Sequence, residues 1–334
     1  MLAGRCPYCW LASPRAEAAM RSATSQKSHL APAVSSGDLR KIAKRNETLT
    51  GYAFLMPAIL VLGFILLIPF VQACILSFYD KPIGGEASYV GLHNYVATLT
   101  DPKFATAVGN TVVFVVFSIA FKIVIGMSVA LALTAEFPGR GLARVAVLIP
   151  WALPEISAIL SWVWMLDGNV GALNSILRKL GLVTTNIYFL SDRDWALPTV
   201  TAINIWRGFP FFTLTLLAAL QTVDGKLYEA AELDGANAWH KFWYITLPSI
   251  MPVLLVTTLL STIWTTNSFT TIFVLTGGGP SDITTTVPIY TYDEAFKGYG
   301  NLGRAASVAV ITLPFIIAMI VFLMRVMRKR EEME

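Results

Sequence analysis

Two groups of polar and aromatic residues interrupt apolar stretches of the sequence, and each group recurs at positions i, i+3, i+4 and i+7. The groups are Asn204, Arg207, Gly208 and Phe211, and Ser261, Trp264, Thr265 and Ser268. This spacing brings the members of each group onto one face of a helix. A sugar ring can stack on aromatic side chains while its hydroxyls pair with amide and hydroxyl groups. The two faces therefore predict a carbohydrate-binding cavity between two helices.

Contacts between helices are the alternative role for these residues, because polar hydrogen bonds across membrane helices contribute about 0.6 kcal/mol each. Arg207 favours the cavity, since an arginine at the centre of a membrane helix costs about 2.5–3.5 kcal/mol on insertion scales. Its guanidinium also suits a phosphate or a carboxylate. Lys122 is predicted as a second buried charge, which either pairs with a carboxylate of a partner or extends toward the membrane surface. The sequence assigns Lys122 no role.

A polar and charged segment, LYEAAELDGANAWHKFWYITLP, covers residues 227–248 between two apolar stretches. Good helix formers start at Glu229, and Asp234-Gly235 is a turn signal. The amphipathic residues 239–247 follow, and Pro248 marks the boundary of the next apolar stretch. The pattern predicts two short helices joined by a turn. Such a segment can dock into a groove of a partner protein or lie on the lipid surface.

Six apolar stretches must position these residues. The 334 residues are 55% hydrophobic and only 14% charged, whereas soluble domains contain about 25% charged residues. A helix crosses a bilayer with about 20 apolar residues. The predicted spans are residues 52–78, 106–135, 142–166, 196–220, 249–275 and 305–327. We therefore predict an all-α integral membrane protein with six transmembrane helices.

Basic residues beside the spans predict the orientation of the chain. They are Arg40, Lys41, Lys44, Arg45, Arg140, Arg144, Arg325, Arg328, Lys329 and Arg330. Because such residues stay on the cytoplasmic side, both termini are predicted to be cytoplasmic. The loop over residues 224–248, between spans four and five, then faces the cytoplasm as well. Residues 1–48 are predicted to form a mobile cytoplasmic tail, and residues 49–330 form the six-span domain.

Several classes of function are disfavoured by the printed sequence. The net charge of +4 comes mostly from residues beside the spans and does not indicate nucleic-acid binding. Three cysteines and three histidines leave little material for a metal site. Cys6 and Cys9 lack the preceding strand that a redox pair needs, so that chance explains this pair.

The sequence also gives little support for a stand-alone transporter or for an intramembrane enzyme. No chain of intramembrane acids indicates proton or sodium coupling by a stand-alone secondary transporter. No constellation of His, Asp and Glu at membrane depth indicates an enzyme. No G-x-x-x-x-G-K-[ST] motif occurs in the printed sequence, and LTGGGP, residues 275–280, lacks the lysine and the helix of a phosphate loop. LTGGGP is instead predicted to form a sharp turn after the fifth span.

The polar segment resembles a known motif. Glu229-Ala230-Ala231 is followed by three residues and Gly235, and then by nine residues and the Ile-x-Leu-Pro sequence that ends at Pro248. This order is that of the EAA loop of ABC-importer permeases. NIWRGFPFF, residues 204–212, and VLTGGGP, residues 274–280, are similar to the carbohydrate branch of that family, which includes maltose-type and glycerol-3-phosphate-type permeases. The resemblance covers nearly all of the chain from about residue 50.

The resemblance implies roles for individual residues. The segment 224–248 would be a coupling loop that docks in a cleft of the ATP-hydrolysing subunit, with Gly235 permitting its bend. The coupling residues are then Glu229, Ala230, Ala231, Asp234, Gly235, Ile245, Leu247 and Pro248. Asn204, Gly208 and Ser261 match in type the positions where the maltose-type permease contacts its sugar. Phe211 keeps only the aromatic character, and the residues that differ are Arg207, Trp264, Thr265 and Ser268.

The function implied is that of a permease subunit of an ATP-driven carbohydrate importer, forming half of the translocation pathway. The expected substrate is a di- or oligosaccharide, with glycerol 3-phosphate or a related polyol phosphate as the alternative. A stand-alone secondary transporter is the alternative from another class. The maltose-type subunit carries additional N-terminal spans and a large outer domain that are not found here, so that a shorter relative is expected.

The resemblance also implies partners and a location. The partners are a second permease subunit, two ATP-binding subunits that hold ATP and Mg, and an extracytoplasmic solute-binding protein. The chain itself would be neither an enzyme nor the holder of a cofactor. The outer loop over residues 276–304, with Tyr290 and Tyr292, is a candidate contact for the binding protein. The expected location is the cytoplasmic (inner) membrane of a prokaryote, as a multi-pass protein surrounded by lipid.

Overall fold

The computed structural model describes residues 50–297 and 300–331. The predicted tail over residues 1–48, with Cys6 and Cys9, lies outside the described residues. The chain divides into two compact units between Ile68 and Pro69. The elements that carry the candidate sites all belong to the second unit.

Five helices are long and apolar enough to cross a membrane. They are α1 (Thr50–Leu76, with a π-helical turn at Gly63–Leu67), α3 (Pro102–Thr134), α7 (Ala196–Leu220), α9 (Ala238–Thr266) and α12 (Leu302–Glu331, whose apolar part is Leu302–Phe322). Four of them begin within about four residues of the predicted first, second, fourth and sixth spans. The prediction of a mostly helical membrane protein is therefore confirmed.

Shorter elements connect the long helices. The short helices are α2 (His93–Thr100), α4 (Arg140–Ala152), α5 (Glu155–Met165), α6 (Ala172–Lys179), α8 (Gly225–Leu233), α10 (Thr270–Leu275) and α11 (Val287–Phe296). The strands β1 (Tyr79–Asp80) and β2 (Ser88–Tyr89) pair antiparallel, with Tyr79 opposite Tyr89. The fold is therefore mostly helical and not strictly all-α as predicted, because a two-stranded ribbon follows α1.

The predicted third span is not one straight helix. Helices α4 and α5 meet at an angle of 91° across the break at residues 153–154. Pro154 has no backbone N–H to donate, and its ring drives the preceding residue into extended backbone. Leu153 accordingly has ψ 142°. The bent pair brings the number of candidate spans to six only if both helices together count as one crossing.

The predicted boundaries of the fifth span are also wrong. Helix α9 begins at Ala238, so that the expected second short helix of the polar segment is the first part of the long helix. A π-helical turn over Phe242–Thr246 lets Leu247 N–H bond to the Phe242 carbonyl. Because this wider turn shifts the hydrogen-bond register just before Pro248, the proline lies inside the helix without ending it.

Apolar contacts define the relative directions of the spans. The first halves of α3 and α7 share a cluster that contains Phe114, Val200 and Ile203. Their second halves share another cluster, with Ala130 and Leu216, which also takes in the beginning of α9. Helices α3 and α7 therefore run parallel, and α9 runs antiparallel to both. These directions agree with the alternation that the sequence predicts for spans two, four and five.

A charged network closes the end of the bundle where α3 and α12 begin. Arg304 Nη2 lies 2.6 Å from Asp101 Oδ2, and Arg304 Nε lies 3.0 Å from Glu294 Oε2. The Tyr290 hydroxyl donates to Asp101 at 2.8 Å, and its side chain is only 2% exposed. Burial raises the pKa of the Glu294 carboxyl. Tyr290 therefore stabilises the fold, and the expectation that it contacts a binding protein is wrong because its side chain is covered.

Replacing Gly126 by alanine is expected to destabilise the protein, because the new Cβ would lie 2.4 Å from the Phe212 Cβ and would push α3 away from α7. The matched control is Gly109→Ala in the same helix, where nothing lies within 4 Å of the added Cβ. There the helix gains about 0.5–1 kcal/mol in propensity. The measurement is thermal unfolding of the detergent-purified protein. Equal unfolding temperatures for the two variants would contradict a tight contact between α3 and α7.

Candidate substrate cavity and coupling loop

A cavity of about 310 Å³ lies between the two apolar clusters, where α3, α7 and α9 pass one another. All eight candidate substrate residues line it: Asn204, Arg207, Gly208, Phe211, Ser261, Trp264, Thr265 and Ser268. The structure therefore brings the two sequence-predicted faces together around one space. Other lining residues, among them Lys122, Trp151, Glu155 and Thr271, were not assigned to this site from the sequence.

One candidate residue reaches the cavity by a different route from the expected one. Helix α9 ends at Thr266, so that Ser268 does not share the helical face of Ser261 and Thr265. It lies in the break between α9 and α10, where its backbone N–H donates to the Thr265 carbonyl at 3.1 Å. The spacing of Ser268 therefore predicted the correct cavity for a wrong reason.

Both helix breaks open onto the cavity. Glu155 lies in the first turn of α5, directly after the Pro154 break, and Thr271 lies in α10, directly after the α9 break. Arg207 Nη2 is 3.5 Å from Glu155 Oε2, and the Thr271 hydroxyl donates to Glu155 Oε1 at 3.4 Å. Glu155 thus links the α5 side of the cavity to α7 and α10. An acid next to a proline inside an apolar stretch is the signal that could have revealed it.

Lys122 crosses the cavity wall from α3 to α9. Its side chain is 3% exposed, and Nζ donates to the Thr265 hydroxyl at 3.0 Å. The stem passes directly over Gly208, where an added Cβ would lie 2.4 Å from the Lys122 Cε. The extension of Lys122 toward the membrane surface is therefore wrong, because the missing side chain at Gly208 gives the lysine a path into the interior.

The cavity offers a stacking surface beside unused hydrogen-bonding atoms. The rings of Phe211 and Trp264 are 5.1 Å apart at 57°, and Trp264 is 54% exposed. Asn204 Oδ1 and Arg207 Nε are buried without a hydrogen-bond partner in the described part of the chain. Buried polar atoms are almost always paired in folded proteins. These atoms can therefore bind the polar groups of a ligand whose apolar face lies against the aromatic rings.

The polar segment forms a compact hairpin of helices. Asp224 caps α8 by accepting the Lys226 N–H at 3.0 Å, and Asn237 caps α9 by accepting the His240 N–H at 2.9 Å. Between them Gly235 has φ +81°, a conformation that favours glycine. The predicted turn at Asp234-Gly235 is therefore confirmed. The candidate coupling residues divide into exposed ones at the tip, Glu229, Ala230, Asp234 and Gly235, and half-buried ones, Ala231, Ile245, Leu247 and Pro248.

Two polar contacts join the arms of this hairpin. The Tyr228 hydroxyl lies 2.9 Å from Thr246 Oγ1, and Lys241 Nζ lies 2.6 Å from Glu232 Oε1. The hydrogen bond from Lys241 lowers the pKa of the Glu232 carboxyl. These two contacts therefore join α8 to the first turns of α9.

The LTGGGP segment forms the sharp turn that the sequence predicts. Gly277 has φ +60° and Gly278 has φ +97°. A Cβ on Gly278 would lie 2.7 Å from the Thr285 Oγ1, so that this glycine is required by both its conformation and its contacts. The Thr285 hydroxyl donates to the Gly278 carbonyl at 3.0 Å, which fastens the turn.

A bundle of apolar helices around a polar cavity, with a helical hairpin at one end, defines a multi-pass membrane protein of the transport class. Residues 122–331 match the model of a family described as the inner membrane component of binding-protein-dependent transport systems. The chain belongs to this family.

Relatives and solved structures agree with this assignment. The chain is 33% identical to the trehalose/maltose transport system permease protein MalF of Thermococcus litoralis, over 86% of this chain and 97% of the relative. It is 34% identical to the inner membrane ABC transporter permease protein YcjO of Escherichia coli, over 84% of this chain and 95% of that relative. A crystal structure of a bacterial ABC transporter involved in alginate import has the same fold, with a TM-score of 0.73, 24% identity, and coverage of 87% of this chain and 98% of that one.

Replacing Gly208 by alanine is expected to lower the unfolding temperature, because the new Cβ would displace Lys122 from Thr265. In a Lys122→Ala background the same change should cost little or nothing, since the obstructing atoms are gone. Thermal unfolding of the two single variants and the double variant measures this coupling, which we expect to be about 1 kcal/mol or more. Strictly additive shifts would show that Lys122 does not pass over Gly208.

Proposed function

We propose that this chain is a permease subunit of an ATP-driven importer for a carbohydrate, most simply a di- or oligosaccharide, and that it forms half of the translocation pathway. The observation that carries the proposal is the cavity, where the stacking pair Phe211 and Trp264 lies beside polar atoms of Asn204 and Arg207 that have no hydrogen-bond partner among the described residues. This is the chemistry that a sugar ring and its hydroxyls require. The names of the relatives, which include a trehalose/maltose permease and a diacetylchitobiose uptake permease of Streptomyces coelicolor, support the same class of substrate.

The long helix α9 supports a mechanical link between ATP hydrolysis and the cavity. It runs as one helix, with the π-helical turn near its start, from Ala238 in the hairpin to Thr266, and it carries Ser261, Trp264 and Thr265 at its far end. Its 29 residues correspond to about 43 Å of helix. A partner that moves the hairpin thus moves one wall of the cavity directly, as alternating access requires.

The family description supports the expected partners of this chain. A binding-protein-dependent system uses an extracytoplasmic solute-binding protein, and an inner membrane component lies in the cytoplasmic membrane of a prokaryote. In the proposed complex, two ATP-binding subunits hold ATP and Mg and dock on the hairpin of residues 224–248, and a second permease completes the pathway. The hairpin then faces the cytoplasm, and catalysis resides in the ATP-binding subunits.

The alternative functions and substrates predicted from the sequence differ in how well the family and the cavity support them. Membership in a binding-protein-dependent family supports the importer over a stand-alone secondary transporter. A polyol phosphate such as glycerol 3-phosphate stays the second candidate substrate, because Lys122 and Arg207 both line the cavity. The length of the chain is compatible with maltose as the substrate, since the trehalose/maltose permease of Thermococcus litoralis is covered over 97% of its length.

Replacing Gly235 by valine is expected to abolish ATP-dependent uptake. Valine at φ +81° strains the backbone, and the distorted tip should no longer fit the ATP-binding subunits. The measurement is affinity purification of the tagged chain from its host in mild detergent, followed by mass spectrometry and by uptake assays in proteoliposomes. The wild type should bring down an ATP-binding subunit and a second permease, and the variant should lose the ATP-binding subunit.

Gly181→Val is the matched control for this experiment. Gly181 has φ +70° and, like Gly235, has no atom within 4 Å of an added Cβ. It follows α6 and lies outside the hairpin, so that this variant should keep its ATP-binding partner. A wild-type chain that purifies alone and moves solute without ATP would refute the proposed importer.

Replacing Trp264 by alanine is expected to lower sugar uptake by about tenfold or more, because a lost aromatic stacking contact costs about 0.5–1.5 kcal/mol beyond the buried area. Trp264→Phe should recover most of the uptake. Trp164→Ala is the control, since this tryptophan is 80% exposed and does not line the cavity. Equal uptake by Trp264→Ala and the control, at equal ATPase activity, would remove Trp264 from the substrate path.

A further inference from the structure

The cavity contains more cationic than anionic side chains. Its charged lining residues are Lys122, Arg207 and Glu155. Glu155 lies beside Arg207, at 3.5 Å from Nη2. Within residues 50–297 and 300–331, no carboxylate oxygen lies within 4.0 Å of Lys122 Nζ. One basic side chain therefore borders the cavity without a carboxylate partner from the described part of the chain.

The position of Lys122 makes this imbalance significant. Its side chain is 3% exposed, and its ammonium group has three donors but makes a single hydrogen bond within the described residues, to Thr265 Oγ1. A buried charge is costly unless it is paired with an opposite charge and hydrogen-bonded. An anion that enters the cavity would supply both.

Arg207 can contribute to the same anion. Its pairing with Glu155 is a single contact at 3.5 Å, longer than a charge-assisted hydrogen bond of about 2.7–2.9 Å. Its Nε has no partner in the described residues. The guanidinium therefore keeps donors for a ligand while Glu155 holds its other side. Asn204 Oδ1, also without a partner, can accept a hydroxyl of the same ligand.

We propose that Lys122 and Arg207 form an anion subsite in this cavity, which takes the carboxylate or phosphate of an acidic carbohydrate. Asn204 and Trp264 then hold the uncharged part of the ligand. This inference rests on the proposed function and specifies its substrate class. The sequence directed attention to Arg207 as the partner of an anion. The structure assigns the larger part to Lys122, because Arg207 already has Glu155 beside it, whereas the partner of Lys122 among the described residues is a neutral hydroxyl.

The experiment uses pairs of probes that differ only in the acidic group. The pairs are maltose and its uronic acid, cellobiose and cellobiouronic acid, and glycerol and glycerol 3-phosphate. Binding to the detergent-purified complete importer is measured by the rise in its unfolding temperature with ligand concentration. We expect one acidic probe to bind more tightly than its neutral partner, and the pair in which this occurs distinguishes a carboxylate from a phosphate.

Variants then test which residue binds the anion. Lys122→Met keeps the stem over Gly208 and removes the charge. It should lower the ratio of acidic to neutral affinity by about tenfold. Glu155→Gln should raise that ratio, because it removes a competing carboxylate and frees Arg207. Lys179→Met, at an exposed lysine in α6, is the control for loss of a positive charge elsewhere.

Several results would overturn the anion subsite. They are binding of no acidic probe, equal binding of both members of every pair, and an unchanged affinity ratio in Lys122→Met. Loss of the second permease from the purified Lys122→Met complex would instead place the counter-ion of Lys122 on that partner. ATP-dependent uptake of a neutral sugar, measured after the same preparation is reconstituted into proteoliposomes, distinguishes these failures from a failure of the proposed function.

Discussion

The close parallel packing of α3 against α7 is the constraint on which the cavity depends. Gly126 brings the two backbones together, since any side chain there would meet Phe212 and the Thr213 backbone. One turn earlier on α3, the same proximity lets Lys122 pass over Gly208 and reach Thr265 on α9. The two glycines therefore have different tasks. Gly126 sets the distance between the helices, and Gly208 makes room for a charged side chain between them.

Broken helices supply the other walls of the cavity. A bilayer tolerates interrupted backbone only where protein or water covers it. The Pro154 break and the break after Thr266 both border this space, and Glu155, directly after the first break, contacts Arg207 of α7 and Thr271 of α10. These breaks place two short helices, α5 and α10, against the first apolar cluster. The apolar cluster at one end of the cavity therefore also holds the two broken helices in place.

Thr265 connects the buried lysine of the cavity to the long helix α9. The Thr265 hydroxyl accepts a hydrogen bond from Lys122 Nζ, and Thr265 lies near the end of the helix that starts in the exposed hairpin. A displacement of α9 along or about its axis would alter the distance from Thr265 to Lys122. In the proposed importer, this hydrogen bond and helix α9 would couple the charge of the ligand to the position of the hairpin.

The sequence by itself determined the class of the protein, because long apolar runs have no stable place outside a membrane. Helical periodicity determined which residues share a face, apart from Ser268, which lies beyond the end of α9. It also located the bend of the hairpin, since Asp234-Gly235 is a local signal. The periodicity of polar and apolar residues describes each helix separately. It does not show which residues of another helix lie against a given face. Only the tertiary structure decided that Lys122 reaches Thr265, that Glu155 faces Arg207, and that Ser268 enters from a break. It likewise decided that α9 continues through Pro248. The π-helical turn directly before this proline shifts the backbone hydrogen bonds, so that the proline does not end the helix.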